Sequence, residues 1–149
     1  MKFLKYVLAI VLTVFLSACN TESTQFENRT NDDNGMIITV NHSGEELRSL
    51  EFEVKNLVPK EQALNFVESS DDSFTKKDLK QLESFYSDLN QFEGVDTKTK
   101  VKETDDGILV IISGTENVDD GESIIGHTKK GGTFKDVKEF LKTQGFEEK

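Results

Sequence analysis

The first eighteen residues differ so strongly from the rest that the 149-residue chain cannot fold as one uniform unit. Lys2 and Lys5 give a positive start, and an apolar run then extends from Tyr6 to Leu16, interrupted only by Thr13. This run of about 11 residues is too short for a helix that crosses a bilayer, which needs roughly 20 residues. Its position after the lysines is typical of a secretory signal peptide, which we assign to residues 1–18.

Cys19 is the only cysteine in the chain, and it follows directly after Leu16, Ser17 and Ala18. This tetrapeptide resembles the lipobox of bacterial lipoproteins. The resemblance implies that a diacylglycerol is attached to the Cys19 sulfur and that a peptidase cuts ahead of it. Two acyl chains anchor a protein stably, whereas a single chain binds marginally. We therefore expect a lipid-anchored protein on the extracytoplasmic face of the cell membrane. The alternative is a buried core cysteine that follows an ordinary leader.

The chain beyond the leader is strongly acidic, with 16 basic and 28 acidic residues and a net charge of −12. Such a surface repels the phosphates of nucleic acids, which are therefore not expected partners. It also repels anionic lipids, so a membrane-bound domain of this charge needs its lipid anchor. A single cysteine excludes an intramolecular disulfide. We expect a monomer, and the abundance of lysine, asparagine and aspartate favours a Gram-positive host.

Residues 19–34 are polar and contain one large apolar side chain, Phe26. A segment of this composition does not bury enough apolar surface to offset the entropy lost on ordering it. We therefore predict a lipidated, flexible tether over residues 19–34, with an average span of roughly 20 Å. A single folded domain is predicted over residues 35–149.

Hydrophobic periodicity in this domain predicts two hairpins and two to three amphipathic helices. The predicted strands are Met36–Val40, Leu50–Val54, Val95–Glu103 and Ile108–Ile112. The predicted helices are Lys60–Glu68, Thr75–Gln91 and a last helix that begins at Thr133 and stops before Gly145. Residues 115–132 are predicted to form a long loop. The fold class is therefore α+β, with a mainly antiparallel sheet of about four strands and the helices packed on one face.

Several weak features occur together in one order. They are the lipobox, a turn at Ser43-Gly44-Glu45, a helix with Tyr86 that leads into Phe92-Glu93-Gly94-Val95, and a closing segment with Thr133-Phe134, Val137, Phe140-Leu141 and Gly145-Phe146. Together they resemble the YehR-like family of small bacterial lipoproteins, a domain family of unknown function. Residues 57–73 and 115–132 depart from the family pattern. The resemblance implies the fold and the lipid anchor, and it transfers no catalytic residues.

No motif in the sequence indicates catalysis. The two histidines, His42 in a predicted turn and His127 in a predicted loop, are too few for a zinc site of three or four ligands. The only thiol is assigned to lipid and so is not a nucleophile. We therefore expect a binding or interaction module without catalytic residues, metal or cofactor. The alternatives are an envelope enzyme that uses carboxylates on a glycan and a lipoprotein that blocks another surface protein.

Lys98, Lys100 and Lys102 alternate along one predicted strand and form a basic stripe. Such a stripe can contact an anionic glycan or a lipid head group. The alternative is that these lysines pair with Glu51 and Glu53 across the sheet, or that they discourage edge-to-edge pairing of strands. We favour this alternative from the sequence.

Overall fold

The structure is a computed structural model of the chain, and it describes residues 21–67, 73–89, 95–118 and 132–149. In chain order the elements are β1 (Glu22–Asn31), β2 (Asn34–Ser43), β3 (Glu46–Pro59), α1 (Lys60–Phe66), α2 (Lys76–Leu89), β4 (Asp96–Glu103), β5 (Gly107–Asn117), α3 (Phe134–Thr143) and β6 (Glu147–Glu148). The leader, the lipobox with Cys19, and His127 lie outside the described residues.

The six strands form one sheet in the order β4-β5-β3-β2-β1-β6, and every pairing between them is antiparallel. The α+β class and both predicted hairpins, β2–β3 and β4–β5, are confirmed. The prediction of about four strands is wrong, because β1 and β6 also join the sheet. Strand β6 has only two residues, and its partner strand is distant in the chain. Two residues are too few to show the periodicity of a strand, so the sequence does not predict β6.

Strand β1 replaces most of the flexible tether that the sequence predicts for residues 19–34. Its Phe26 side chain is fully buried, with 0% exposed, and lies opposite Ile38 of β2. Strand β2 supplies hydrogen-bond partners along β1, so one buried aromatic ring is enough to order this polar strand despite its composition. The folded domain therefore includes residues from Glu22 onward, only three positions after Cys19.

The helices all pack on one face of the sheet, as predicted. Val137 and Leu141 of α3 lie in one core cluster with Phe26 of β1. Ala63 of α1 and Leu82 of α2 lie in a second cluster over β3 and β5. Alternate residues of a strand point to the same face, so the remaining residues of β1 to β5 form an opposite face. We call this the outer face, and no described helix covers it.

Local sequence signals position the helix ends closely. Helix α1 follows Pro59, and α2 begins after Thr75, close to the predicted starts. Helix α3 ends before Gly145, whose left-handed φ of 82° allows the Phe146 N–H to donate to the Leu141 carbonyl at 3.0 Å. The predicted loop is wrong for residues 115–117, which extend β5. None of the helices in the described ranges is long and apolar enough to cross a membrane.

Strand β6 holds the end of the chain against β1. Its Glu148 accepts a hydrogen bond from the Lys138 ammonium at 2.9 Å, and the Lys149 N–H donates to the Gln25 carbonyl at 3.0 Å. The hydrogen bond from Lys138 is the main reason that the pKa of Glu148 lies below its ordinary value. The described C-terminal residues therefore close one side of the sheet beside the middle of β1.

The capping box of α3 leads to a prediction of pH dependence. The Thr133 hydroxyl and then the Thr133 N–H donate to the Asp136 carboxylate, and these bonds hold its pKa below the ordinary value of 3.8. A carboxyl with a lowered folded-state pKa stabilises the fold above pH 3.8, and the effect is lost as pH falls through the lowered pKa. Asp136→Asn should therefore lower the free energy of unfolding, measured with urea, at pH 6. It should not lower it at a pH below the lowered pKa of Asp136.

The control for this prediction is the same substitution in a Thr133→Ala background. Without the hydroxyl, the main cause of the pKa shift is gone, so Asp136→Asn should show a smaller pH-dependent effect there. An effect of Asp136→Asn that is equal at every pH in the wild-type background would contradict the assignment.

Candidate functional site

Side chains on the outer face form rows that cross the sheet, because the strands pair in a continuous register. The first row reads Asp96, Thr115, Glu51, Thr39, Gln25. The second row reads Lys98, Ser113, Glu53, Ile37, Glu27. The third row reads Lys100, Ile111, Lys55, Gly35, Arg29. Negative charge thus dominates the first two rows, and the third row carries only positive charges.

A hollow with a volume of about 420 Å³ lies over the first two rows. We call it the outer-face hollow. The residues that line it are Gln25, Ile37, Thr39, Glu51, Phe52, Glu53, Asp96, Lys98, Ser113, Gly114 and Thr115. Its polar lining therefore offers carboxylates, hydroxyls, one amide and one ammonium, a mixture that suits a hydroxyl-rich or charged ligand.

A hydrogen-bonded group of polar side chains supports the hollow at one end. The Asn41 amide donates to Ser49 Oγ and to Glu51 Oε1, both at 2.9 Å. The Ser23 hydroxyl in turn donates to Asn41 Oδ1 at 2.6 Å. These bonds restrict the Glu51 carboxylate before any ligand binds, and such preorganisation lowers the entropic cost of binding.

The carboxylates of the hollow bear on the enzyme alternative. Glu51 and Asp96 lie on either side of Thr115, two strands apart, which places their Cα atoms about 10 Å from each other. A glycosidase needs its two carboxyls on opposite sides of the scissile bond. Here both acids rise from one sheet surface, and none of the described residues forms a second wall opposite them. No group of acids and histidines in the described ranges is arranged to hold a metal ion.

Lys98, Lys100 and Lys102 project from β4 on the outer face, and all three are exposed. The predicted pairing with Glu51 and Glu53 is wrong, because β5 lies between β4 and β3. Glu53 instead forms an ion pair with Lys55 at 3.5 Å. No acid in the described part of the chain lies within the 4.0 Å ion-pair distance of the three lysines. The three lysines lie on β4, an edge strand of the sheet, which is the position expected if they discourage edge-to-edge pairing of strands.

A larger groove of about 670 Å³ lies on the helix-covered face, between α2 and the end of the chain. Its floor contains Met36, Val54 and Ile112, and Tyr86 and Phe146 lie at its sides. Burial raises the pKa of the Tyr86 hydroxyl above its ordinary value. None of the described residues that line this groove is a carboxylate, so acid–base chemistry on a glycan finds no support here.

A small aromatic cluster is exposed beside this groove. Phe66 and Phe85 are 47% and 37% exposed, and their ring centroids lie 4.9 Å apart. Leu89 at the end of α2 is 63% exposed. An apolar surface of this kind suits contact with another protein. The neighbouring residues 68–72 and 90–94 lie outside the described ranges, so these exposed fractions refer to the described residues alone.

His42 is a buried residue of β2 and not part of a turn, so the predicted position is wrong. Its ring stacks on Phe134, with the centroids 3.7 Å apart. Nδ1 of His42 lies 2.9 Å from the Gly44 carbonyl oxygen, which can only accept a hydrogen bond, so Nδ1 carries the hydrogen. Nε2 then accepts a hydrogen bond from the Thr24 hydroxyl at 3.1 Å. His42 therefore connects the β2–β3 turn to α3, and both ring nitrogens are occupied.

Glu116 lies in the segment predicted to be a loop, but it belongs to β5. It is buried on the helix-covered face of β5, opposite Leu50 of β3. The signal that could have found both His42 and Glu116 is the strand alternation, which continues through them from Ile38 and Ile112.

The predicted lipid site, which comprises Leu16, Ser17, Ala18 and Cys19, lies outside the described residues. Comparison of the chain with protein-family models, with curated proteins and with solved structures gives no match.

Proposed function

We propose that this chain is a lipid-anchored protein on the extracytoplasmic face of a bacterial cell membrane, and that it binds a ligand on its outer face without catalysis. The observation that carries the binding role is the outer face itself. Every described helix packs on the other side of the sheet, and the exposed side offers ordered rows of charged and hydrogen-bonding groups.

The start of β1 supports a close attachment to the membrane. Glu22 follows Cys19 by three residues, which span at most about 11 Å when fully extended. A lipid on Cys19 would therefore hold the corner of the sheet where β1 begins near the membrane surface. The domain would project from the membrane with little freedom to move away, in contrast to the long tether expected from composition.

The leader and the lipobox support the proposed location at the cell membrane. The same proposal includes the resemblance to the YehR-like lipoproteins. The acids of the outer-face hollow favour an envelope enzyme as the second candidate, because Glu51, Glu53 and Asp96 line one cavity. The open surface around them is better suited to holding a ligand than to enclosing a reaction. The binding role is therefore the first candidate.

The anchor is tested by metabolic labelling with a clickable palmitate analogue in a bacterial host. The wild-type chain should be labelled and recovered with the membrane fraction. Cys19→Ala should abolish the label, because it removes the sulfur that accepts the diacylglycerol.

Ser17→Ala is the matched control for this experiment. It keeps a small residue next to the cleavage position, so labelling should persist. Label that survives in the Cys19→Ala chain would overturn the proposed anchor, as would a wild-type chain found in the cytosol with residues 1–18 intact.

A further inference from the structure

We infer that the lysines of β4 bind a linear polyanion built from hydroxylated units, of the polyol phosphate class. This inference names the ligand of the outer face and so rests on the function proposed above. The site consists of Lys98, Lys100 and Lys102, together with Ser113 and Glu53 in the row beside Lys98.

The three lysines form a straight line of positive charge. Alternate residues of a strand are spaced by about 6.7 Å on one face, so the line is about 13 Å long between its outer Cα atoms. Lys55 lies in the same row as Lys100, across Ile111. The chain beyond the leader has a net charge of −12, so a polyanion is attracted along this line and repelled by most of the remaining acidic surface.

The residues beside the line fit a ligand that alternates phosphates with hydroxyl groups. Ser113 offers a hydroxyl, and the Glu53 carboxylate accepts hydrogen bonds from hydroxyls although it repels phosphate. Beside Lys100 and Lys102 the neighbours on β5 are Ile111 and Leu109, which are half-buried and can contact the carbon backbone of a polyol. A polyphosphate has neither the hydroxyl groups nor the carbon backbone of a polyol, so it would make neither of these contacts.

Nucleic acid is the less favoured polyanion. Proteins that hold single strands stack the bases on aromatic side chains. The outer-face side chains of β1 to β5 are aliphatic, polar or charged. Phe52, which also lines the hollow, packs against the core on the helix-covered face. A nucleic acid would therefore gain contacts with its phosphates and none of the usual stacking.

An anionic membrane is also less favoured as the occupant of this surface. A flat bilayer that touched the lysines would also approach Glu27, Glu51, Glu53 and Asp96, which share the outer face. A linear polymer can follow β4 along the edge of the sheet and contact only the lysine side. The charge pattern thus selects a polymer over a surface.

The test measures binding of fluorescent poly(glycerol phosphate) to the full chain in a non-ionic detergent, between 50 and 500 mM salt. The triple variant Lys98→Gln, Lys100→Gln, Lys102→Gln should bind roughly 30-fold more weakly at the lowest salt. The slope of log affinity against log salt should fall by about 2, as expected when three phosphate contacts are lost. The triple arginine variant should retain binding, because it keeps the charges.

The matched control removes the same number of charges elsewhere. Lys76, Lys77 and Lys80 are exposed on α2, on the opposite side of the sheet, and their triple glutamine variant should bind the polymer within about threefold of wild type. Equal weakening in the two glutamine variants would overturn the inference, because net charge alone would then explain the binding. Thermal unfolding checks that all variants are folded.

Two further probes identify competing ligands. Neutral dextran should not bind, and single-stranded DNA of matched length should bind more weakly than the polyol phosphate. Binding of either probe as tight as that of the polymer would overturn the inference. These measurements in detergent do not depend on the lipid anchor, so a failure here is distinguishable from a failed labelling of Cys19.

Amine acetylation of the reconstituted chain tests the membrane directly. In neutral vesicles the three lysines should react, and added poly(glycerol phosphate) should protect them. Protection by phosphatidylglycerol vesicles without any polymer would assign the surface to the membrane and overturn the inference.

Discussion

Phe26→Ala is expected to lower the free energy of unfolding by about 3–5 kcal/mol, the usual cost of removing a fully buried phenylalanine side chain. Phe26 has no exposed surface, and it packs with Ile38, Val137 and Leu141 at the centre of the core under α3. Its ring also lies 6.5 Å from the Phe134 ring. Urea unfolding of the full chain and the variant, followed by circular dichroism, measures the loss.

The comparison that makes this result decisive is Gln25→Ala in the same strand. Gln25 is exposed on the outer face, so its replacement should change the free energy of unfolding by less than about 0.5 kcal/mol. If Phe26→Ala were as mild as Gln25→Ala, β1 would not belong to the folded domain. Residues 19–34 would then be the flexible tether that their composition predicts.

Gly107→Ala should cost about 3 kcal/mol or more, because backbone atoms surround the position. A Cβ at Gly107 would lie 2.1 Å from the Val58 carbonyl oxygen and 2.8 Å from the Lys60 amide nitrogen. Its φ of +155° is also one that side-chain-bearing residues rarely adopt. Relieving the contact requires β3 and β5 to separate where Pro59 and Gly107 pair. The same urea unfolding experiment measures the effect.

Gly44→Ala separates crowding from backbone strain. Gly44 has a left-handed φ of +58°, but no atom lies within 4 Å of the Cβ that an alanine would add. This substitution should therefore cost only about 1–2 kcal/mol, the ordinary penalty of the left-handed conformation. A similar cost at the two glycines would show that crowding by Val58 is not what makes Gly107 necessary.

The elements that the sequence predicts correctly are those with strong local signals. Helices α2 and α3 have apolar stripes at helical spacing, and Thr133 with Asp136 forms the capping box that begins α3. The β4–β5 hairpin turns at Asp105-Asp106-Gly107, and Asp-Gly is a strong turn signal in a sequence. In each case the residues that decide the structure are neighbours in the chain, so periodicity and turn chemistry are sufficient.

The elements that were missed depend on distant partners. Strand β1 has one buried aromatic residue, and its order comes from pairing with β2 and from the core that α3 covers. His42 lies among turn-forming residues, so local composition predicts a turn. The alternation of buried residues along β2, which places the His42 side chain in the core, is a weaker signal in the sequence. Local composition predicts the outcome poorly when a tertiary contact supplies most of the stabilisation.

The candidate site was predictable in its parts but not in its arrangement. The alternation of Lys98, Lys100 and Lys102 is visible in the sequence, and the structure places all three on the outer face. Their distance from Glu51 and Glu53 depends on the insertion of β5 between β4 and β3. Strand order is a property of the whole sheet, and neither hairpin determines it alone.

The proposed attachment of the domain through a lipid ahead of β1 would also determine how the domain bears a mechanical load. If the lipid holds Cys19 while fluid or a bound polymer drags on the body of the domain, tension enters along the axis of β1. The hydrogen bonds of an antiparallel pair lie perpendicular to the strands. Along the paired length of β1 and β2 they would resist shear together and would not open one after another, so the attachment point would be among the last parts to yield.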